Sequence, residues 1–182
     1  AAAEQLKDLE SFRSCRIQDA DAKIVGIAVN GSYDKESLPT IPLGSKFMIE
    51  VEIAVYRTLR GADLALVVKS SQGDNLAIVV SSDHEFRLWL EKGSYTVKVK
   101  VGDLPLVPGR YFLDAGIDTT VGGWTCDLIH DYPLFSVVNE GQVTHWLHRP
   151  WGAVHCQAVE WDISLAEADQ RGEIRLDKVA SC

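Results

Sequence analysis

Apolar and polar residues alternate most clearly between residues 46 and 56 of the chain. The apolar positions fall on every second residue: Phe47, Ile49, Val51, Ile53 and Val55. Because successive side chains of a β-strand point to opposite faces, this spacing directs all of them toward one side. The pattern predicts a strand with one buried face, and the opposite face is expected to be mostly solvated.

Similar short apolar runs, separated by Gly, Pro, Asp and Asn, predict further strands. They cover residues 24–29, 64–69, 76–80, 95–101, 111–118 and 134–138. The strands on either side of residues 70–75 are expected to pair antiparallel, because that loop carries Gly73 where a hairpin needs a positive φ. Pro108 and Gly109 predict a turn, again with the glycine at positive φ.

This succession of strands, with almost no helical periodicity between them, predicts an all-β fold. The expected architecture is an antiparallel two-sheet β-sandwich, immunoglobulin-like or jelly-roll, with short N-terminal and C-terminal extensions. A parallel α/β fold is excluded. We expect residues 1–22 to form a linker or short helix, residues 23–162 the sandwich and residues 163–182 a loosely held tail. Residues 153–161 are a candidate final strand.

The charge balance narrows the class of partner. The 182 residues include 18 Lys and Arg against 26 Asp and Glu, a net charge of −8, which disfavours nucleic acid and anionic membranes as partners. No stretch approaches the roughly 18–20 apolar residues of a membrane span, and no export signal follows the Ala-rich start. A cytoplasmic location is therefore expected.

Cysteine and histidine spacing gives little support for a metal or redox site. The four cysteines lie far apart and form no CxxC pair: Cys15, Cys126, Cys156 and Cys182. Free thiols are therefore expected. His145 and His148 form an HxxH pair without an acidic or cysteine partner close by, which favours ordinary histidines over a metal site. We expect neither a metal nor a cofactor.

Motifs of catalytic sites are also missing from the sequence. It contains no GxGxxG, no GxSxG and no Walker A motif GxxxxGK[ST], the loops that nucleotide-binding and hydrolase sites use. Asp114 and Asp118 lie on one predicted strand about 13 Å apart by strand rise. That separation exceeds the carboxylate spacing of glycosidases, so the chain is not expected to be an enzyme.

The outward face of the strand at 111–118 is the candidate binding surface. If its apolar residues enter the core, Phe112, Asp114, Gly116 and Asp118 point outward, and Gly116 would leave a gap for a sugar ring. Aromatic rings can pack on sugar faces while carboxylates bind hydroxyls. The candidate carbohydrate-binding residues are therefore Phe112, Asp114, Asp118 and Trp124, the last in the loop that follows the strand.

Two other interpretations of this surface stay open. In the first, Asp114 and Asp118 are solvated residues without a binding role. In the second, the loop 119–131 covers the face and buries Phe112. Trp89, in a segment interpreted as irregular, is either a sugar contact or a plug in the core.

Several segments carry a resemblance to a known family. They are residues 24–29, 42–46, 66–77 with the hairpin Ser-Gln-Gly-Asp-Asn, 104–113 with the turn L-x-P-G-x-Y-x-L, 131–137 and 149–161. Their order resembles the C-terminal domain of the ATPase subunit of bacterial O-antigen polysaccharide ABC exporters, the Wzt type.

The resemblance implies a β-sandwich that binds the finished or end-modified O-antigen polysaccharide without catalysis and presents it for export. It implies the nucleotide-binding and membrane subunits of the exporter as partners, and a cytoplasmic location at the inner membrane. Proteins of this type carry a nucleotide-binding domain that this sequence lacks, so the chain is expected to be an excised domain or a stand-alone module.

Other functions and an oligomeric state are also considered. An immunoglobulin-like module could bind another protein through an exposed strand edge. A glycan-modifying enzyme would need an acid–base pair that the sequence does not offer. A homodimer is predicted, because the segment 149–161 follows a long loop and could pair with the sheet of a second copy.

Overall fold

The computed structural model describes residues 9–14, 19–32, 38–102, 104–119 and 124–141. Within these residues the chain forms nine strands and two short 3-10 helices. The strands are β1 Ala22–Val29, β2 Thr40–Pro42, β3 Phe47–Val55, β4 Leu59–Ser70, β5 Asn75–Val80, β6 Leu88–Leu90, β7 Gly93–Val101, β8 Gly109–Thr119 and β9 Trp124–Val138. The 3-10 helices cover Glu10–Phe12 and Ser81–His84.

The strands form two sheets that pack as a sandwich. The smaller sheet has the order β1-β3-β7, and the six-stranded sheet has the order β2-β9-β8-β4-β5, with β6 also paired to β4. Neighbouring strands run antiparallel, as the sequence predicts, except that β2 runs parallel to β9. The all-β two-sheet fold is confirmed. The parallel pair was not predicted.

The core lies between the sheets and is built from the predicted inward faces. The five alternating apolar residues of β3 are buried, and so are Tyr111, Leu113, Ala115 and Ile117 of β8. The outer face of β3 is drier than expected, because Glu50 is only 9% exposed. Its Oε1 lies 3.6 Å from Nζ of Lys98 on β7, which offsets part of the cost of burying the carboxylate.

The two predicted turns differ in outcome. Gly73 has φ +88°, as the β4–β5 hairpin requires, and Ser70 Oγ accepts hydrogen bonds from the amides of Gln72 (3.1 Å) and Asp74 (3.2 Å). Gly109 does not take a positive φ, so that prediction is wrong. Gly109 is already the first residue of β8, and its extended backbone pairs with Val137.

One further local prediction is wrong, and one of the two alternatives for Trp89 is excluded. The predicted loop 119–131 is largely strand, since β9 begins at Trp124, which pairs with Thr119. Trp89 is not a core plug, because it lies in β6 and is 71% exposed. Its neighbour Leu88 is the β6 residue that enters the core.

The segment 9–14 packs against the side of the sandwich where β1 meets β9. Leu9 is buried, and the rings of Phe12 and Tyr132 meet edge to face with centroids 5.5 Å apart. The Ser14 amide donates to the carbonyl of Leu128 at 3.1 Å. Part of the predicted leading segment therefore lies in the packed structure.

A buried ion pair joins the segment 9–14 to β1 and β9 on the same side of the sandwich. Arg13 pairs with Asp127, and both side chains are almost fully buried. Arg13 Nη2 donates to the carbonyl of Ile24 at 3.0 Å, while the Ile24 amide donates to Asp127 Oδ2 at 2.7 Å. Burial alone would lower the pKa of Arg13, but Asp127 raises it above its usual value, so the guanidinium stays charged.

Several sequence predictions lie outside the described residues. They concern the candidate strand 153–161, the tail 163–182 and the HxxH pair His145 and His148. The domain limits stay a prediction. No helix among the described residues is long and apolar enough to span a membrane.

Candidate functional site

The outer face of the six-stranded sheet carries the candidate residues of β8. Tyr111, Leu113, Ala115 and Ile117 point into the core. Phe112 and Asp114, on the alternate positions, are half-buried, and Asp118 is exposed. Trp124 lies opposite Thr119 in β9, beside the same end of β8 as Asp118.

The expected gap above Gly116 is filled. A Cβ placed on Gly116 would lie 3.2 Å from Cδ1 of Leu128 on β9, so this side chain occupies the space assigned to a sugar ring. Phe112 and Asp114 therefore lie on one side of Leu128, and Asp118 lies on the other. The candidate residues do not line one continuous groove along β8.

Asp114 is instead the centre of a polar cluster. The pairing of β8 with β9 is irregular between Leu113 and Ala115, which brings His130 and Asp131 beside Asp114. The Asp131 amide donates to Asp114 Oδ1 at 2.8 Å, and His130 Nδ1 lies 3.0 Å from Asp114 Oδ2. From β4, Lys69 Nζ lies 3.4 Å from Asp114 Oδ2 and 2.5 Å from Asp131 Oδ1. We call these four residues the Asp114 cluster.

The cluster stabilises its own charges. Burial alone would raise the pKa of Asp114, but the Asp131 amide, His130 and Lys69 together lower it below its usual value. The hydrogen bond to Asp131 raises the pKa of Lys69, against a smaller opposing effect of burial. Asp114 and Lys69 are therefore both charged at neutral pH.

Access differs among the members of the Asp114 cluster. The Asp114 side chain is 16% exposed, whereas His130 is 42% exposed and Asp131 is 65% exposed. The atoms that a ligand can reach belong mainly to His130 and Asp131. Sequence reasoning selected Asp114 and missed its partners, because an irregular strand pairing leaves no periodic signal in the sequence.

A polar cleft adjoins the cluster at one end of the sheet. It has a volume of about 230 Å³ and lies between the β4–β5 loop and the turn before β8. Its lining residues are Ser70, Ser71, Gln72, Asp74, Leu76, Val107, Pro108, Gly109, Arg110 and Tyr111. Ser70 pairs with Tyr111, and Lys69 pairs with Phe112, so the cleft and the Asp114 cluster follow one another along the same two strands.

One hydrogen bond fixes the wall of this polar cleft. Tyr111 Oη donates to the carbonyl of Val107 at 2.6 Å and so ties the turn to β8. Burial raises the pKa of this phenol, which keeps the hydroxyl protonated as a donor. The lining of the cleft includes side chains with hydroxyl, amide, carboxylate and guanidinium groups, and groups of these kinds can bind the hydroxyls of a polyhydroxylated ligand.

The described residues offer no metal centre or reactive thiol. Among them, no three His, Cys, Asp or Glu side chains are placed to hold a metal ion. Cys126 is buried, and burial raises the pKa of its thiol, so it is a poor nucleophile at neutral pH.

Comparison with known proteins identifies the family of the fold. The sequence profile of the Wzt C-terminal domain matches residues 13–147. The chain belongs to the Wzt C-terminal domain family. The matched range includes the polar cleft, the Asp114 cluster and Arg13 of the buried ion pair, so the family resemblance drawn from the sequence is confirmed.

The solved structure of a Wzt C-terminal domain agrees with this fold. The crystal structure of the C-terminal domain of Wzt is 16% identical, covers 82% of this chain and 88% of that chain, and has a TM-score of 0.63. A Niemann-Pick type C2 protein from the Japanese carpenter ant is 11% identical over 70% of this chain and 98% of its own, with a TM-score of 0.48. No curated protein sequence matches the chain.

Proposed function

We propose that this domain binds O-antigen polysaccharide, without catalysis, as part of an ABC exporter. The observation that carries the proposal is the polar cleft, which is built by two segments of the resemblance to Wzt, the Ser-Gln-Gly-Asp-Asn hairpin and the L-x-P-G-x-Y-x-L turn. The match of the Wzt C-terminal domain family to residues 13–147 supports the same role.

The cleft and the Asp114 cluster together supply a path for a chain of sugars. Arg110 and Asp74 provide a charged donor and a charged acceptor, and Gln72 provides both kinds of group in one amide. The exposed side chains of His130 and Asp131 lie beside Asp114, on the outer face of the six-stranded sheet. We propose that the glycan binds in the cleft and that its chain continues around the end of the sheet, past Phe112, to the Asp114 cluster on the outer face.

This arrangement revises the role of the sequence-based candidates. Asp114 acts by holding His130, Asp131 and Lys69 in place, and Phe112 lies between cluster and cleft. Asp118 and Trp124, at the other end of β8, stay candidates for a more distant sugar of a long glycan.

Titration calorimetry with candidate O-polysaccharides tests the proposal. Arg110→Ala and Gln72→Ala should each weaken binding about tenfold, because each leaves a polar group of the glycan unpaired. Arg87→Ala, an exposed arginine outside the cleft, is the matched control and should bind normally. Absence of binding by every glycan tested would favour the alternative, an immunoglobulin-like module that binds another protein.

The assembly of the exporter supplies the remaining proposals. We propose a homodimer formed through the segment 149–161, which lies outside the described residues, with the nucleotide-binding and membrane subunits as further partners at the cytoplasmic side of the inner membrane. Light scattering at micromolar concentration should give the mass of two chains. The mass of a single chain would contradict the dimer.

A further inference from the structure

Trp89 is the most exposed large hydrophobic residue in the part of the chain that the structure describes, at 71%. It is the middle residue of β6 and follows Leu88, which is buried in the core. Because neighbouring residues of a strand point to opposite faces, Trp89 lies on the outer face of the six-stranded sheet. A ligand that covered the ring would be stabilised by its burial.

A β-bulge places Arg60 beside Trp89 on this outer face. Arg60 of β4 is the direct pairing partner of Trp89, and the register of the two strands shifts between Arg60 and Ala62. The extra residue of the bulge is Gly61, with φ +72°. In a regular strand Arg60 would share the inward face of the buried Ala62, whereas the bulge turns it outward, and it is exposed.

Two carboxylates come next to Arg60 on the same face. Asp63 is the following outward residue of β4, and Asp118 of β8 is its direct pairing partner. Ser81 Oγ donates to Asp63 Oδ1 at 3.5 Å. Within the described residues, the side chains of Arg60 and Asp118 have no hydrogen-bond or ion-pair partner. A guanidinium donor and a carboxylate acceptor therefore remain available to a ligand.

An aromatic ring beside an available donor and acceptor suits a sugar. The apolar face of a sugar ring packs on the indole, while its hydroxyls accept from the guanidinium and donate to the carboxylate. Charges of both signs lie within this group, which favours a hydroxylated ligand over a simple anion or cation. We call Trp89, Arg60 and Asp118 the Trp89 subsite.

The Trp89 subsite and the Asp114 cluster lie at opposite ends of β4. Arg60 belongs to the first and Lys69 to the second, nine residues apart on the strand, which is roughly 25–30 Å at the rise of a β-strand. The outward residues of β4 between Asp63 and Lys69 are the uncharged Ala65 and Val67. A disaccharide is too short to touch both ends of this face, whereas a long glycan can reach both.

We propose that the Trp89 subsite binds a second part of the glycan and so makes the domain select long glycans over short ones. The inference rests on the proposed function, because the polar cleft and the Asp114 cluster hold the first part of the chain. Once one part is bound, contact with the second subsite is intramolecular. Affinity therefore rises when the glycan is long enough to span the outer face.

Titration of the full chain with glycans of two sizes tests the proposal. The probes are the O-polysaccharide of the source organism and the short oligosaccharides obtained from it by mild acid cleavage. Trp89→Ala should weaken binding of the polysaccharide about tenfold and Arg60→Ala about fivefold. Neither variant should change binding of the short oligosaccharides, which the polar cleft holds alone. Trp89→Phe keeps an aromatic ring and should retain most of the affinity for the polysaccharide.

Two matched controls and one direct signal locate the subsite. Phe86→Ala removes an exposed ring that lines the cleft between β4, β5 and β7, and Arg87→Ala removes an exposed arginine that precedes β6. Both variants should bind the polysaccharide normally, and circular dichroism checks that every variant is folded. The indole N–H signal of Trp89 in NMR spectra, assigned by its loss in Trp89→Ala, should shift with the polysaccharide and not with the short oligosaccharides.

Three results would overturn the proposal, and they bear differently on glycan binding. Full affinity of Trp89→Ala and Arg60→Ala for the polysaccharide, with a loss in Arg110→Ala, would remove the subsite and leave the polar cleft as the glycan site. Equal losses for glycans of both sizes would remove the length dependence. Absence of binding to wild type would remove the proposed function as well, and a lower mass of Trp89→Ala in light scattering would then assign Trp89 to a contact between copies.

Discussion

The two sides of the sandwich are closed to different degrees. Where β1 meets β9, Leu9 and Phe12 cover the gap between the sheets, and the Arg13–Asp127 pair joins the segment 9–14 to both strands. Where β5 faces β7, an apolar cleft of about 260 Å³ remains. Among the described residues, one side of the sandwich is thus covered by the segment 9–14, whereas the other side keeps a cleft between its edge strands.

The closed side also shows why a charge can be buried there. Asp127 accepts the Ile24 amide and pairs with Arg13, and the Leu128 amide donates to its Oδ1 at 3.0 Å. These partners together replace the water that the carboxylate loses. The residues that line the open side include no such buried ion pair.

The largest expected loss of stability follows from removing the buried Arg13–Asp127 pair. Arg13→Ala should lower the free energy of unfolding by about 3–5 kcal/mol, because it leaves the Asp127 carboxylate buried without its partner. Urea denaturation measures the loss. Arg57→Ala removes an exposed pair with Asp21 and should cost no more than about 1 kcal/mol. Equal losses in the two variants would show that the buried pair contributes no more stability than the exposed pair.

A matched pair of phenylalanine variants compares the two sides directly. Phe12→Ala should cost about 2 kcal/mol, because it removes the edge-to-face contact with Tyr132 and packing against the core. Phe86→Ala should change stability by less than about 0.5 kcal/mol, since its ring is exposed at the mouth of the apolar cleft. A large loss from Phe86→Ala would mean that the open side is packed in solution.

A smaller, pH-dependent effect on stability is expected at Asp114, on the outer face of the six-stranded sheet. The pKa of Asp114 is lower in the folded chain than its usual value, so its ionised form stabilises the fold above that usual value, and the stabilisation is lost as pH falls through the folded pKa. Asp114→Asn should therefore cost about 1–2 kcal/mol at neutral pH.

Urea denaturation from neutral pH to about pH 3 measures how this cost changes, and the difference between wild type and variant should shrink at the acidic end. The exposed Asp118→Asn serves as the control on the same strand. A difference for Asp114→Asn that did not change with pH would contradict the role of the Asp114 cluster.

The regular alternation of apolar and polar residues predicts the main strands correctly. The inward residues of β3 and β8 were identified correctly, because burial of one sheet face imposes a period of two. The hairpin at Gly73 was identified for a similar reason, since its positive φ is a local requirement. The same local reasoning failed at Gly109, where pairing with β9 keeps the backbone extended.

The same alternation does not predict the start of β9. Residues 124–131 follow a glycine-rich stretch and place the charged Asp127 inward, which breaks the pattern of a half-buried strand. That burial depends on Arg13, which is distant in the sequence. The same region also determines the geometry of the candidate site. Leu128 fills the space above Gly116, and the irregular pairing brings His130 and Asp131 to Asp114.

The sequence by itself determined the all-β class, the inward faces of the main strands and the family, because each depends on local spacing or on motif order. The tertiary structure decided which side of the sandwich is sealed, where the buried charges find partners and which polar groups reach solvent. Those features depend on contacts between residues far apart in the chain, such as Arg13 with Asp127 and Lys69 with Asp131. Such contacts leave no periodic trace in a single sequence, because each is fixed only when the strands that carry the two residues have packed.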